Sequence, residues 1–227
     1  MKTQEKDIKE IKSFFNSYSR TFSSIYSEDD KSRSIFDKLM DKLFRQAVYQ
    51  RYAFTLEETA KDSIDSILDV GCGPGHHTIA FLNQGKTVTA LDVADEMVEL
   101  TKEKVSQLNK NDECEFIVSD YMEHEFDKKF DAIAVLGFFD YVSDPVTVLK
   151  KLIHDANKEI YISIPNESGI LGLQRKIRYK LRNCPLYSYS KSFLIECLKE
   201  AGCYEYTEIR KASRGFFVVI RKELQER

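Results

Sequence analysis

Apolar residues recur at helical spacing from the start of the chain: Ile8, Ile11, Phe15, Tyr18, Phe22 and Ile25 advance in steps of three and four. The face they form is aromatic and must cover something. After Ser32–Ser34 a second amphipathic run follows, with Ile35, Phe36, Leu39, Met40, Leu43, Phe44, Ala47 and Val48 at the same spacing. Together they predict a helical lid over residues 1 to about 60.

Beyond it the period changes. Ser66–Val70, Thr87–Leu91, Glu115–Val118, Phe130–Leu136 and Glu159–Ile164 are short apolar or β-branched runs with helical stretches between them. That alternation predicts a doubly wound α/β fold, a mostly parallel sheet with helices on both faces. Cys203–Arg210 and Gly215–Arg221 are joined by only Lys-Ala-Ser-Arg, too short for a crossover helix, so an antiparallel hairpin brings the expected strands to seven. Residues 61–227 then form one sheet domain, with the lid at 1–60 part of the same unit and a helical insertion at about 165–190. No internal repeat or Pro/Gly-rich linker marks a second domain.

The size of the chain, 227 residues, suits one such unit with helical additions. Charge excludes little except a global field: 34 Lys+Arg against 37 Asp+Glu would gather neither nucleic acid nor an anionic membrane. The five cysteines show no metal-ligand spacing with the four histidines, so no metal is expected and a reducing cytoplasm is the default. The charged first residues lack an apolar signal core, and no run approaches the ~18 apolar residues of a membrane span.

The strongest chemical signal is Asp69-Val70-Gly71-Cys72-Gly73-Pro74-Gly75, between a strand and a helix. Glycines there let the backbone turn tightly and approach a ligand. A dinucleotide site wants Gly-x-Gly-x-x-Gly, whereas Gly75 comes two positions after Gly73 and His76 fills the expected place, which disfavours a nicotinamide oxidoreductase. Asp92 ends the second strand about twenty residues on, where a carboxylate accepts both ribose hydroxyls of an adenosine. Asp120 follows the third strand in the same way. His76 and His77 open the helix after the turn, where neutral imidazoles are expected.

With Leu-Asp-Val at 91–93, Ser-Asp-Tyr at 119–121 and Phe-Asp-Ala-Ile at 130–133, the chain resembles the class I S-adenosylmethionine-dependent methyltransferases from about residue 64 to 222. The resemblance implies S-adenosylmethionine as cofactor and S-adenosylhomocysteine as product. It places the turn from Asp69 through Gly71, Cys72, Gly73 and Gly75 at the methionine part and Asp92 at the ribose. Val93 and Met97 go to the adenine face, Asp120 and Tyr121 to its edge, and Leu136 and Gly137 to the methionine pocket. A finer likeness, in the aromatic N-terminal stretch, Phe139-Asp140-Tyr141 and Tyr187-Ser188-Tyr189-Ser190, is to magnesium-protoporphyrin O-methyltransferases. There a lid Tyr and a His after the fourth strand serve the reaction; Asp140 or Tyr141 stands here near that His position.

Ligands of α/β sheets bind beyond the carboxyl ends of the strands, which points the loop Gly137-Phe138-Phe139-Asp140-Tyr141 at the methyl group. Asp140 is the candidate base, and Tyr18 and Tyr26 could set a ring or hydroxyl beside a sulfonium. Phe138, Asp140 and Tyr141 would meet the acceptor. So would Arg175 and Arg178 of the basic insertion, whose five cations are offset only by Glu167. The reading is therefore methyl transfer to an oxygen, alternatively a nitrogen, of an anionic small-molecule intermediate in the cytoplasm. RNA or protein acceptors and a non-catalytic S-adenosylmethionine-binding module remain as alternatives. DNA is disfavoured because the chain lacks both an Asn/Asp-Pro-Pro-Tyr/Phe tetrapeptide and a Pro-Cys nucleophile.

Overall fold

The computed structural model describes residues 7–17, 49–166, 184–212 and 215–222. The second predicted helix, up to residue 48, and residues 167–183 of the basic insertion lie outside them. Residues 7–17 and 49–59 are helical and are labelled α1 and α2. There follow β1 (Ser66–Val70), α3 (His76–Asn83), β2 (Thr87–Asp92), α4 (Asp95–Gln107), β3 (Cys114–Val118) and β4 (Phe130–Val135). The chain continues with α5 (Pro145–Asp155), β5 (Ala156–Pro165), α6 (Lys191–Glu200), β6 (Thr207–Ala212) and β7 (Gly215–Arg221).

The seven strands form one sheet in the order β3-β2-β1-β4-β5-β7-β6. The first five are parallel, β7 runs antiparallel to β5, and β6 to β7. The hairpin closes more tightly than the spacing suggested, because Ala212 still pairs with Gly215. Its first strand also begins later than Cys203: Gly202 ends α6 at a φ of 77°, and Tyr204–Tyr206 form a single 3-10 turn before the chain extends.

Strands inside the sheet are apolar along their whole length because both faces are covered. Alternate residues feed two cores. Leu68, Val70, Ile133, Val135, Ile160 and Ile162 pack with Leu149 and Leu152 of α5 and Leu194 and Leu198 of α6. Ile67, Ala90, Ala132, Ala134, Tyr161 and Phe217 pack with Phe81 and Leu82 of α3, Val105 of α4 and Phe54 and Leu56 of α2. α5 starts where Asp144 accepts the Thr147 N–H and Pro145 takes the first helical position, whose N–H would have no partner.

α2 runs across a sheet face, with Arg51 reaching the crevice, and is pinned at its far end by charge. Glu58, 4 % exposed, accepts from Lys61 at 2.6 Å, Arg210 at 2.6 Å and Arg221 at 3.0 Å, and Lys61 also bonds Glu159 at 2.8 Å. These three cations hold the Glu58 carboxyl below its usual range despite its burial. Buried carboxylates this well paired fix an element in place even where they add little net stability.

Candidate functional site

The strand order reverses between β1 and β4, so the chains leaving their carboxyl ends diverge and open a crevice there. Gly71, Cys72 and Gly73 after β1, Asp92 and Val93 after β2, Ser119, Asp120 and Tyr121 after β3, and Leu136, Gly137 and Phe138 after β4 all line it.

The glycine turn is built by close approach. Gly71, Gly73 and Gly75 have φ of 70°, 53° and 77°, the left-handed region that favours glycine. A Cβ on Gly71 would lie 3.2 Å from the Phe138 ring and one on Gly75 2.8 Å from Thr101, whereas one on Gly73 would meet nothing within 4 Å. The open side at Gly73 faces the crevice. Thr101 secures the turn by donating to the Gly73 carbonyl at 2.8 Å.

Asp92, 8 % exposed, accepts the Gly73 N–H at 2.9 Å through one oxygen and the Ala94 N–H at 2.9 Å through the other. Burial raises its pKa, opposed by those backbone bonds. Asp120 accepts the Met122 N–H at 3.0 Å through Oδ1, while Oδ2 is buried with no hydrogen-bond partner among the described residues. Buried carboxylate oxygens are rarely left in that state unless a donor arrives. Tyr121 is locked by its hydroxyl, which donates to Asp155 at 2.8 Å, and its ring meets Phe138 edge-on.

Four residues expected at the site are not on the crevice wall. Asp69 turns down to accept the Thr78 hydroxyl at 2.7 Å, and burial pushes its carboxyl up to about 7. Gly75 is buried under Thr101. Met97 lies on the core face of α4, with Val98, Thr101 and Val105. Asp140 is buried in the 3-10 turn Phe139–Tyr141, which sends Tyr141 to the crevice instead. Tyr18, Tyr26, Arg175 and Arg178 lie outside the described residues.

Helix α1 closes one side. Asp7, Ile8, Ile11 and Phe15 line the crevice, and Phe15 meets the Tyr141 ring edge-on at 5.3 Å between centroids. Asn16 donates to Asp95 at 2.9 Å, Lys12 pairs with Asp95 at 3.1 Å, and the Tyr187 hydroxyl donates to Asp7 at 3.1 Å. The aromatic stripe read from the sequence thus faces the crevice over this stretch. Among the described residues there is no cluster able to hold a metal and no helix long and apolar enough to cross a membrane.

Sequence reasoning missed Arg51, which α2 carries to the crevice beside Gly137 and His77. A lone cation between aromatics in a helical run carries no motif that could have found it. His77 is pushed down to about 3 by burial, with the Arg51 charge adding to it, and His76 to about 4. Both imidazoles are neutral at pH 7, as expected, but burial is the main cause. The folded pKa of His77 lies below its unfolded 6.5, so its contribution to stability is complete above pH 6.5 and is lost as pH falls toward about 3. The slope is up to ~1.4 kcal/mol per pH unit. His77→Gln should flatten this limb in denaturant unfolding measured from pH 7 to pH 4.5; parallel curves for variant and parent would contradict it.

Comparison with known proteins agrees with this geometry. A family described as a methyltransferase domain matches residues 67–156. The chain is 27% identical over 111 residues, 48% of its length and 55% of the relative's, to a protein named as the probable cobalt-precorrin-6B C(15)-methyltransferase (decarboxylating) of Thermoplasma acidophilum. It is 29% identical over 97 residues, 42% of its length and 41% of the relative's, to a ubiquinone biosynthesis O-methyltransferase of Pseudomonas putida. The chain thus spans about half the length of these curated relatives or less. The crystal structure of magnesium protoporphyrin IX methyltransferase from Synechocystis PCC 6803 with bound S-adenosylhomocysteine superposes with a TM-score of 0.70 at 18% identity, covering 95% of this chain and 98% of that one. The methyltransferase-domain match over residues 67–156 coincides with the strands and turns that build the crevice, and the fold is the one seen in that crystal structure.

Proposed function

We propose that the protein is an enzyme that uses S-adenosylmethionine to methylate an oxygen of an anionic small molecule. The observation that carries the cofactor reading is the crevice wall itself: an open glycine at Gly73, the Asp92 carboxylate beside it, and the buried Asp120 Oδ2 in need of a donor. An adenosine satisfies each, with ribose hydroxyls on Asp92 and the exocyclic amine on Asp120.

S-adenosylmethionine, when bound, supplies a methyl group on a positively charged sulfur. The chain's own residues align and dry the site. Phe138 and Tyr141 border it from the loop after β4, and Ile8, Ile11 and Phe15 cover it from α1. Displacement at a methyl carbon needs mainly such alignment, at ~3–3.5 Å, and a base only where the attacking atom carries a proton.

Two further carboxylates reach the wall, and both are engaged: Asp144 holds Thr147 at the start of α5, and Asp7 accepts from Tyr187. Asp140 stands behind it. This favours an acceptor whose attacking atom is already ionised, a carboxylate oxygen before a hydroxyl. The anionic character of the acceptor is supported by the cations of the insertion, Arg175 and Arg178 among them.

Methyl-labelled S-adenosylmethionine offered with paired acceptors, each a small carboxylic acid and its neutral amide, tests this reading. Label is expected only in the acids, as a base-labile ester. Transfer to amides or to RNA in preference would overturn the acceptor class.

A further inference from the structure

We propose that Asp155, paired with Lys151, is a positioning residue that makes the crevice selective for adenine, by anchoring Tyr121 and through it the carboxylate of Asp120. The inference rests on the cofactor reading above and adds two residues, neither of which lines the crevice.

The sequence sets these charges against the helix that carries them. Asp155 is the last residue of α5, where the helix dipole disfavours an anion, and Lys151 precedes it by four positions, the weaker order for such a pair. Asp155 is also 4 % exposed, so its placement costs desolvation as well. Local helix stability does not explain it; its partners do. Oδ2 accepts the Tyr121 hydroxyl at 2.8 Å and lies 3.2 Å from the Lys151 Nζ, while Oδ1 is 2.9 Å from His154 Nδ1.

Tyr121 is buried, with the Lys151 ammonium 5.2 Å from its ring centroid and the Phe138 ring edge-on to it at 6.5 Å. Phe138 in turn lies against Gly71, 3.2 Å from where a Cβ would sit. The contacts that start at Asp155 thus end on the turns after β1 and β3, the two that flank the adenosine position. Asp120 directly precedes Tyr121, and its Oδ1 accepts the Met122 N–H at 3.0 Å, so the anchored ring and this bond together fix the turn that carries the carboxylate. Its Oδ2 is buried without a partner among the described residues. A carboxylate held at a fixed point discriminates sharply against a base that lacks an amine there, because that base leaves the oxygen unpaired. On a loose turn the same oxygen reaches water and discriminates less.

The test titrates S-adenosylhomocysteine against its counterpart with hydrogen in place of the exocyclic amine. The unaltered protein is expected to prefer the first by ~10- to 100-fold, the range of a hydrogen bond to a charged group. Tyr121→Phe keeps the ring and removes only the hydroxyl; the preference should fall by ~3- to 10-fold while affinity for the amine-free ligand stays within ~2-fold. Asp155→Leu should do the same, and Asp155→Asn, whose amide oxygen still accepts the Tyr121 hydroxyl, should restore most of the preference. If Asp155→Leu does not fold, Tyr121→Phe decides alone. A merely structural role would weaken both ligands alike. That result, an unchanged preference in Tyr121→Phe, or no preference in the unaltered protein would overturn the assignment while the adenosine cleft stands. Failure of the unaltered protein to bind S-adenosylhomocysteine would overturn the cofactor reading and this one with it.

Discussion

Asp92→Ala is expected to cut affinity for S-adenosylhomocysteine by ~100-fold or more, on the basis of two charge-assisted hydrogen bonds lost at ~1.5–3 kcal/mol each. The carboxylate does two jobs at once. Its bonds to the Gly73 and Ala94 N–H groups join the turn after β1 to the turn after β2, and the residue lines the crevice. Alanine leaves both N–H groups to find water and removes the acceptor for the ribose. Asp92→Asn keeps one carbonyl acceptor but sets an amide against one of the two N–H groups, so an intermediate loss is expected. Calorimetric titration of the three proteins, with an unfolding curve for each, measures it. Affinity within ~3-fold of the parent for the alanine variant would leave Asp92 as a turn residue only.

The glycine turn predicts a crossed pair of effects. Gly75→Ala must push Thr101 aside, because the new Cβ would sit 2.8 Å from both its Oγ1 and its Cγ2, and Thr101 is the group that bonds the Gly73 and Met97 carbonyls. Adding a left-handed φ to that overpacking, the expected loss of stability is ~2–5 kcal/mol. Gly73→Ala meets no protein atom, so it should cost only the ~1–2 kcal/mol of its φ while its Cβ occupies cofactor space. Urea unfolding should therefore rank Gly75→Ala as the less stable variant, and cofactor titration should rank Gly73→Ala as the greater binding defect relative to its stability. The reverse ranking would mean that the open side of Gly73 does not face the ligand.

How much of this was legible in the sequence depended on whether a residue's environment is local. The parallel strands were readable because burial on both faces forces continuous apolar runs, and the observed bounds differ by a few residues at most in β1 to β4. The placement of Gly71, Gly73 and the acids after β2 and β3 on the crevice wall was readable because strand ends meet there. Asp140 and Met97 were not: each sits in the expected element, but the rotation of a 3-10 turn and of α4 decides which side chain reaches the crevice. Arg51 was beyond reach for a different reason. It is brought to Gly137 by partners over 80 residues away in sequence, Ser163 at one end of α2 and Glu159, Arg210 and Arg221 at the other.

On the reading proposed above, the crevice between β1 and β4 holds S-adenosylmethionine. Calorimetric titration of the full chain with S-adenosylmethionine, S-adenosylhomocysteine and NAD tests it most directly. Saturable binding of the first two at one site per chain, with no heat from NAD, is the predicted result. Binding of NAD with neither adenosyl sulfur compound would contradict the claim and return the glycine turn to dinucleotide chemistry.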